Sequence, residues 1–211
     1  KAVGNGTNGD SEEKSVKVTI APKPVTITGI TVTSKEYDGT TTANITGTPK
    51  IEGLVEGDGV ALIGPGTATF DTPDAGTDKK VTISGYTLMG NGSAEDNYTL
   101  TQPTDITGTI TPATLTITDA AIESKQFDGT TKATVDGPDT VIFKRDGESG
   151  AEVKLTKGTD YEVVSAEFSD PNVSTEKKAV TVKISLLGTM AQNYKLDKDT
   201  LTIPAAANIT K

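Results

Sequence analysis

The stretch Ser34–Ala43, which reads Ser-Lys-Glu-Tyr-Asp-Gly-Thr-Thr-Thr-Ala, decides the fold because it occurs twice. It returns 90 residues later, at Ser124–Ala133, as Ser-Lys-Gln-Phe-Asp-Gly-Thr-Thr-Lys-Ala. Extended back to Val25 and Leu115, the two copies share ten identities over nineteen positions without a gap. Unrelated sequences would share about one. The chain is therefore built from an internal repeat, and each copy is expected to be one structural unit.

The repeat divides the chain of 211 residues into two domains. The tripeptide at 20–22, Ile-Ala-Pro, reappears at 110–112 as Ile-Thr-Pro and marks the boundaries. We expect residues 21–110 and 111–211 to form one domain each, because each is long enough to bury its own core. Residues 1–20 are expected to be a linker or the tail strand of a preceding repeat. Proline restricts its own φ and the residue before it, so the joint should be stiff and extended.

Each repeat is predicted to consist of short strands separated by turns. Apolar residues and threonines alternate in Val25–Thr28, as in a half-buried strand, and a register change at Gly29 would let this strand continue. Asp38 and Gly39 predict a tight turn. No stretch has sustained helical periodicity, and about seven short strands per repeat predict an antiparallel β-sandwich. Further strands are predicted at Ser15–Ile20, Thr40–Thr46, Val60–Ile63, Thr67–Phe70, Lys80–Met89, Asn97–Leu100 and Ile106–Ile110, with a hairpin tip at Lys144–Gly147.

Charge and composition exclude several classes of function. Lys and Arg number 20 against 29 Asp and Glu, a net charge of −9. This argues against binding to nucleic acid or an anionic membrane, both of which need a basic surface. Without Cys or His, disulfides, Cys-ligated metals and the Ser-His and Cys-His catalytic pairs are impossible. Two carboxylates could still serve a glycosidase, but no pair is marked by the sequence. We therefore expect neither an enzyme nor a bound cofactor.

The repeated turn carries the candidate binding residues Tyr37, Asp38, Phe127 and Asp128. A structural role is favoured, because a turn that defines the fold recurs wherever the fold recurs. The aromatic ring would then pack beside the core and the aspartate would close an Asx turn. In the alternative interpretation the aromatic–carboxylate pair forms a shallow carbohydrate site. Repetition alone does not separate the two.

Two other kinds of site are considered. Asp71, Asp74 and Asp78 lie in one loop, and oxygen-rich loops can hold Ca²⁺, although aspartate favours turns without a metal. An intramolecular isopeptide bond between lysine and asparagine or aspartate would need a buried lysine, a facing amide or acid, and a nearby carboxylate. The repeated candidates for such a bond are Lys35, Lys125, Asn97 and Asn193.

The residues of the repeat resemble a known family. The string Lys-Glu-Tyr-Asp-Gly-Thr-Thr at Lys35–Thr41 looks like the signature of YDG-type repeats of bacterial surface and filamentous-haemagglutinin-like adhesins. Asn97–Leu100 and Gly108–Pro112 are similar to the ends of such units, and the resemblance covers nearly the whole chain from about Ala21, in two copies. The second copy departs from it at Phe127, which fits a ring used for packing. The resemblance implies Ig-like domains in a larger exported protein and no catalysis.

From these observations we expect an all-β chain of two tandem Ig-like antiparallel β-sandwich domains in an extended arrangement. They would be stalk or spacer repeats of a bacterial cell-surface adhesin that project a binding domain from the cell, with neighbouring repeats as partners. In the alternative, the repeats themselves bind a glycan or a host matrix protein through their loops. An exposed aromatic in a loop would favour that alternative. Four tyrosines lie within or beside strands and are expected to pack instead: Tyr86, Tyr98, Tyr161 and Tyr194.

Overall fold

The structure, a computed structural model, describes residues 17–147 and 152–211. Within these residues the regular secondary structure is almost entirely β-strand, with one short 3₁₀ segment and one six-residue α-helix. The all-β prediction is therefore confirmed. No helix in the described part of the chain is long and apolar enough to cross a membrane.

Repeat one, residues 21–110, folds into two sheets and a separate two-stranded ladder. The elements are β1 (Lys23–Val32), β2 (Lys35–Glu36), β3 (Thr42–Ala43), β4 (Ile45–Glu52), β5 (Val60–Ile63), β6 (Thr67–Phe70), β7 (Gly76–Ser84), β8 (Thr87–Gly90), the 3₁₀ segment Asn91–Asn97, β9 (Tyr98–Thr101) and β10 (Ile106–Thr111). The last strand of this repeat, β10, extends one residue past it, to Thr111. The first sheet has the order β4-β1-β9, the second β2-β10-β7-β6-β3, and β5 pairs with β8.

Repeat two, residues 111–211, follows the same plan with its own strand lengths. Its sheets have the orders β14-β13-β11-β17 and β15-β16-β18, and β12 pairs with β19. The elements are β11 (Ala113–Ala120), β12 (Lys125–Gln126), β13 (Val141–Arg145), β14 (Glu152–Val153), β15 (Tyr161–Phe168), β16 (Lys178–Leu186), α1 (Gly188–Asn193), β17 (Tyr194–Leu196), β18 (Thr200–Ala207) and β19 (Ile209–Thr210).

Each repeat has its own hydrophobic core, built from one face of its strands. In repeat one, Ile27 of β1 belongs to the same buried cluster as Phe70 of β6 and Val81 of β7, so the two sheets share that cluster. In repeat two the largest fully buried side chains include Tyr161 and Phe143, whose rings pack edge to face at 5.1 Å. Burying a large apolar side chain contributes about 1.5–3 kcal/mol, so these clusters are the main source of stability.

The first strand of each repeat pairs with a parallel neighbour, which corrects the expectation of purely antiparallel sheets. In repeat one β9 runs parallel to β1, and in repeat two β17 runs parallel to β11. The closing strands β10 and β19 likewise run parallel to the short strands β2 and β12. Parallel strands need a long connection. These pairs join the beginning of a repeat to its end, so most of the repeat serves as that connection.

Three of the predicted strands differ from those in the structure. The predicted strand Lys80–Met89 is divided into β7 and β8 at Gly85, whose φ is 88°. Thr40–Thr46 likewise contributes to two strands, β3 and β4. Of the predicted strand Ser15–Ile20, the first two residues lie outside the described residues and the rest form no strand. Ile20 is 91% exposed, whereas its counterpart Ile110 is 1% exposed because it belongs to the hydrophobic core of repeat one.

A β-bulge at Gly29 shifts the register between β1 and β4, in agreement with the predicted register change. Gly29 and Gly47 face each other across the strands, with φ of 76° and 85°. A Cβ at residue 47 would lie 2.2 Å from the carbonyl oxygen of Gly29. No side chain fits between these two backbones, so both positions require glycine.

Gly47→Ala is therefore expected to destabilise repeat one by about 3 kcal/mol, through positive-φ strain and a backbone clash. Gly57→Ala is the matched control, because Gly57 has a φ of 90° but no neighbouring atom lies within 4 Å of the place that a Cβ would take. The control should cost only about 1 kcal/mol, the strain alone. Guanidinium unfolding followed by circular dichroism measures both, and equal losses would contradict the clash.

Candidate functional site: the repeated turn and the junction between the repeats

The repeated turn is held by a lysine ammonium enclosed by oxygens. Asp38 accepts hydrogen bonds at Oδ1 from the backbone N–H and the hydroxyl of Thr40, each at 2.8 Å. Lys35 Nζ lies 2.7 Å from the same carboxylate oxygen. It also donates to Thr40 Oγ1 at 2.8 Å, to Thr40 O at 3.0 Å and to Thr42 O at 3.1 Å. The predicted Asx turn is confirmed, with Gly39 at a φ of 76°.

The second copy repeats this cage around Lys125. Lys125 Nζ lies 2.7 Å from Asp128 Oδ1 and donates to Thr130 O at 2.8 Å and to Thr130 Oγ1 at 3.0 Å. The backbone N–H of Thr130 donates to Asp128 Oδ1 at 2.9 Å. The Lys125 ammonium also lies 5.9 Å from the centre of the Phe168 ring, within range of a cation–π interaction. The motif Lys-x-x-Asp-Gly-Thr is thus a structural unit in both repeats.

The cage keeps both aspartates ionised to low pH. Burial raises the pKa of Asp38, but hydrogen bonds from Lys35 and Thr40, together with the lysine charge, outweigh it and lower the pKa to about 2. The pKa of Asp128 is also about 2, chiefly because Lys125 donates to it. A hydrogen-bonded carboxylate beside a cation is stabilised in its charged form. Such a group is poorly suited to general acid catalysis near neutral pH.

The two aromatic residues of the turn have different environments. Tyr37 is half-buried and packs against the core of repeat one, and its ring meets that of Tyr194 edge-on at 5.2 Å. The expectation that Phe127 packs beside the core in the same way is wrong, because its side chain is 53% exposed. The difference arises because Tyr37 is covered by the following repeat.

The junction between the repeats is a continuous strand interrupted by Pro112. Strand β10 ends at Thr111 and β11 begins at Ala113. Before the proline, Thr111 is paired with Glu36 of β2, and its carbonyl accepts the N–H of Tyr37 at 2.8 Å. After the proline, Ala113 is fully buried. A joint of one residue with a fixed φ leaves little rotational freedom between the repeats.

Side chains of repeat two bind the end of repeat one. Asn193 is 2% exposed and is the one buried polar residue in the described ranges. Its Oδ1 accepts the backbone N–H of Ala75 at 2.8 Å, and its Nδ2 donates to Asp74 Oδ1 at 2.9 Å. Gln192 Nε2 donates to the carbonyl of Ala75 at 3.0 Å. Both the oxygen and the nitrogen of the Asn193 amide thereby bind repeat one, so the contact is specific in its geometry.

Two further bonds complete the junction. The N–H of Thr114 donates to Glu36 Oε1 at 3.2 Å, and Arg145 Nη2 donates to the carbonyl of Tyr37. We call the contacting residues of repeat one its trailing face, and those of repeat two its leading face. The trailing face consists of Glu36, Tyr37, Asp74 and Ala75, and the leading face of Thr114, Arg145, Gln192, Asn193 and Tyr194.

The leading face of repeat one has a different chemistry. Tyr98, the counterpart of Tyr194, donates its hydroxyl hydrogen to Asp58 and accepts the N–H of Val55 at 3.1 Å. The bond to Asp58 raises the pKa of Tyr98. Asn97, the counterpart of the buried Asn193, is exposed. Tyr86, Tyr98 and Tyr161 are all buried, as predicted from their places beside strands.

The acidic loop of repeat one is not assembled as a cation site. Asp71 pairs with Lys79 at 3.2 Å, Asp74 is bonded to Asn193, and Asp78 is exposed. No group of three or more acidic side chains that could hold a metal is found in residues 17–147 and 152–211. The carboxylate of Asp71 therefore stabilises the fold of repeat one, and that of Asp74 stabilises the junction.

The isopeptide candidates are also used differently. The ammonium groups of Lys35 and Lys125 are enclosed in the turn cages, and Asn193 is bonded across the junction. Asn97 is exposed at the end of the 3₁₀ segment. The lysine and asparagine candidates thus belong to separate sites.

A surface groove of repeat two does not bring together the groups that hydrolysis would need. This groove of about 690 Å³ in repeat two is lined by residues 130–135 and 163–167 and by Lys157. Glu167 is the only acid in its lining. Asp38 and Asp128 belong to separate turns, each bound to its own lysine. A glycosidase needs two carboxylates on either side of one bond, and this groove offers one.

Sequence reasoning does not identify the lysine cage or the buried Asn193 as functional. Lys35 and Asn193 stand out there only because they recur, and only as isopeptide candidates. A lysine three residues before Asp-Gly-Thr in both copies is the signal that could reveal the cage. The burial of Asn193 has no such signal, because it depends on the contact between repeats.

Comparison with known proteins gives a family match to both repeats. The family described as YDG domain matches residues 21–106 and again residues 111–203. No curated protein and no solved structure matches the chain significantly.

Removing the caged cation should destabilise a repeat. Lys35→Met deletes four contacts to charged, hydroxyl or carbonyl oxygens and is expected to cost about 2 kcal/mol of unfolding free energy in repeat one. Lys50→Met is the control, because Lys50 is an exposed strand residue with no side-chain bond in the described ranges, and it should change stability by less than about 0.5 kcal/mol. Guanidinium unfolding compares the two variants. Equal stabilities would show that the cage contributes nothing.

The cage also predicts how stability depends on pH. Because the folded pKa values of Asp38 and Asp128 lie near 2, below the unfolded value of 3.8, their contribution is complete above about pH 4 and is lost as the pH falls towards 2. The double variant D38N/D128N keeps an oxygen to close each turn. Its melting temperature should therefore fall less steeply between pH 5 and pH 2 than that of the unmodified chain.

Asp197→Asn serves as the control, since its exposed side chain makes no hydrogen bond in the described residues. Some acid sensitivity should remain in the double variant, because the pKa values of Asp71 and Asp170 are also lowered, by Lys79 and Lys178. Identical slopes for the double variant and the unmodified chain would contradict the assignment.

Proposed function

The chain belongs to the YDG domain family, and from this premise we propose that its two repeats are stalk or spacer units of a bacterial cell-surface adhesin. They would be Ig-like sandwiches in an extended arrangement, exported as part of a larger protein, and would project a binding domain away from the cell. The observation that carries the proposal is the junction. A one-residue proline joint and a buried asparagine hold successive repeats in a fixed relation.

The properties of the surface support a mechanical role. The turn carboxylates of both repeats are bound by lysines within the fold, and a net charge of −9 favours solubility at high local density. A spacer holds the domain at its end at a fixed distance only if it does not bend at each joint. The hydrogen bonds from Asn193, Gln192 and Thr114 to repeat one reinforce the joint at Pro112, which opposes such bending.

Small-angle X-ray scattering of the full chain tests the spacer proposal. A single globule of this length would have a radius of gyration of about 17 Å. Two domains whose centres are separated by roughly one ten-residue strand length, about 35 Å, would give about 21 Å and a second maximum in the pair-distance distribution. Asn193→Ala, which removes both hydrogen bonds of the buried amide across the junction, should broaden that maximum. A compact particle with one maximum would overturn the proposal.

A second function, binding through the loops, is favoured by one observation. Phe127 is an aromatic residue on a turn and is 53% exposed. Exposed aromatic rings are common at recognition sites. A glycan and matrix-protein array probed with the chain, beside Phe127→Ala and the folded D38N/D128N variant, tests this function. Specific binding that Phe127→Ala abolishes would favour recognition, and no binding by any folded variant would favour the spacer.

A further inference from the structure

The trailing face of repeat two is uncovered. Its residues correspond by the repeat to those of repeat one: Gln126 to Glu36, Phe127 to Tyr37, Asn172 to Asp74 and Val173 to Ala75. Phe127 and Val173 are 53% and 41% exposed, whereas Ala75 is 4% exposed under repeat two. The backbone N–H of Ala75 is bonded to Asn193, but that of Val173 has no hydrogen bond to any described residue.

The substitutions preserve the hydrogen-bonding pattern of this face. Gln126 and Asn172 keep a side-chain oxygen where Glu36 and Asp74 have a carboxylate, and an amide oxygen accepts a hydrogen bond as a carboxylate does. The contact at residue 75 uses the backbone N–H and C=O, which Val173 also provides. Phe127 retains an aromatic ring where that of Tyr37 meets Tyr194 edge-on. Two negative charges are lost, but each position keeps an acceptor.

The strand that leads into the joint is also reproduced. Ile209 and Thr210 of β19 pair with Lys125 and Gln126 in the register that Ile110 and Thr111 of β10 have with Lys35 and Glu36. The N–H of Phe127 donates to the carbonyl of Thr210 at 2.8 Å, as Tyr37 does to Thr111. The end of repeat two is therefore built like the end of repeat one at the point where repeat one is joined to repeat two.

We propose that the trailing face of repeat two is a docking surface for another YDG repeat, one whose leading face carries the Gln-Asn-Tyr set of repeat two. The incoming asparagine would accept the free N–H of Val173 and donate to Asn172. The incoming glutamine would donate to the carbonyl of Val173, and the incoming tyrosine would cover Phe127. This inference rests on the repeat architecture and extends the proposed spacer function, but does not depend on a cell-surface location.

The same face discriminates against a repeat of the first type. At the position of Gln192, repeat one has Asp96, and a carboxylate cannot donate to the carbonyl of Val173. At the position of Thr114, repeat one has Pro24, which has no N–H to donate to Gln126. A repeat of the first type would therefore lose two of these bonds and place a negative charge beside a carbonyl oxygen. Such mismatches reject a partner more effectively than lost contact area.

The test extends the full chain with copies of its own repeats. In one extended chain, a second copy of residues 112–211 follows Thr210, so that the new joint copies Thr111–Pro112. In the matched chain, a copy of residues 22–111 follows Thr210. Amide hydrogen exchange is then measured at Val173. The exchange of Ala75 in the same molecules reports the internal junction, whose bonds are unchanged.

The proposal expects the first extension to slow exchange at Val173 by at least about tenfold relative to the unextended chain. The second extension should slow it by less than about threefold. In the first extended chain, Asn193→Ala in the appended copy alone should restore fast exchange at Val173 and leave Ala75 protected. A hydrogen-bonded amide exchanges only through local opening, so this readout reports the bond and not merely proximity.

Two results would overturn the proposal. Unchanged exchange at Val173 in the first extended chain, with Ala75 still protected, would show that repeat two ends in a face that binds no further repeat. Equal protection by both extensions would show that the face does not select the Gln-Asn-Tyr set. Neither result depends on the scattering of the unextended chain, so failure here is distinguishable from failure of the spacer proposal.

Discussion

The ammonium of Lys35, enclosed by oxygens of Asp38, Thr40 and Thr42, is the interaction on which the rest of repeat one depends. A lysine that is 14% exposed must replace the water that it loses, and here the turn supplies four acceptors. The turn is thereby held by the side chain of Lys35 as well as by the positive φ of Gly39. Repeat two reaches the same solution at Lys125, which explains why these residue types recur.

The cage also influences the junction between the repeats, because Lys35 is a strand residue. It lies in β2, which pairs with the closing strand β10. The pairing places Glu36 and Tyr37 beside the joint, where repeat two contacts both. The turn therefore positions half of the trailing face. A motif that the sequence repeats within one chain is, in the structure, a link between the core of one repeat and the docking of the next.

Much of the fold and the Asx turn could be predicted from local pattern, while the lysine cage and the junction could not. Val60–Ile63 is a short apolar run, Thr67–Phe70 alternates in polarity, and the two form β5 and β6 with the predicted bounds. The prediction failed for Lys80–Met89, because alternation alone does not show where a glycine ends a strand. The exposure of Phe127 and the burial of Asn193 could not be predicted, because each depends on whether another repeat packs against the residue. Repetition identified residues that matter for folding but not the atoms that each one contacts.

The one-residue joint at Pro112 has a consequence for long arrays of such repeats. Each joint of this kind would relate one repeat to the next by the same rotation and translation, because the two contacting faces differ. Repetition of one such operation generates a screw wherever the rotation does not close a ring. The pitch of that screw would be set by the geometry around a single proline, so lateral features on successive repeats would wind around the axis at a constant angular interval.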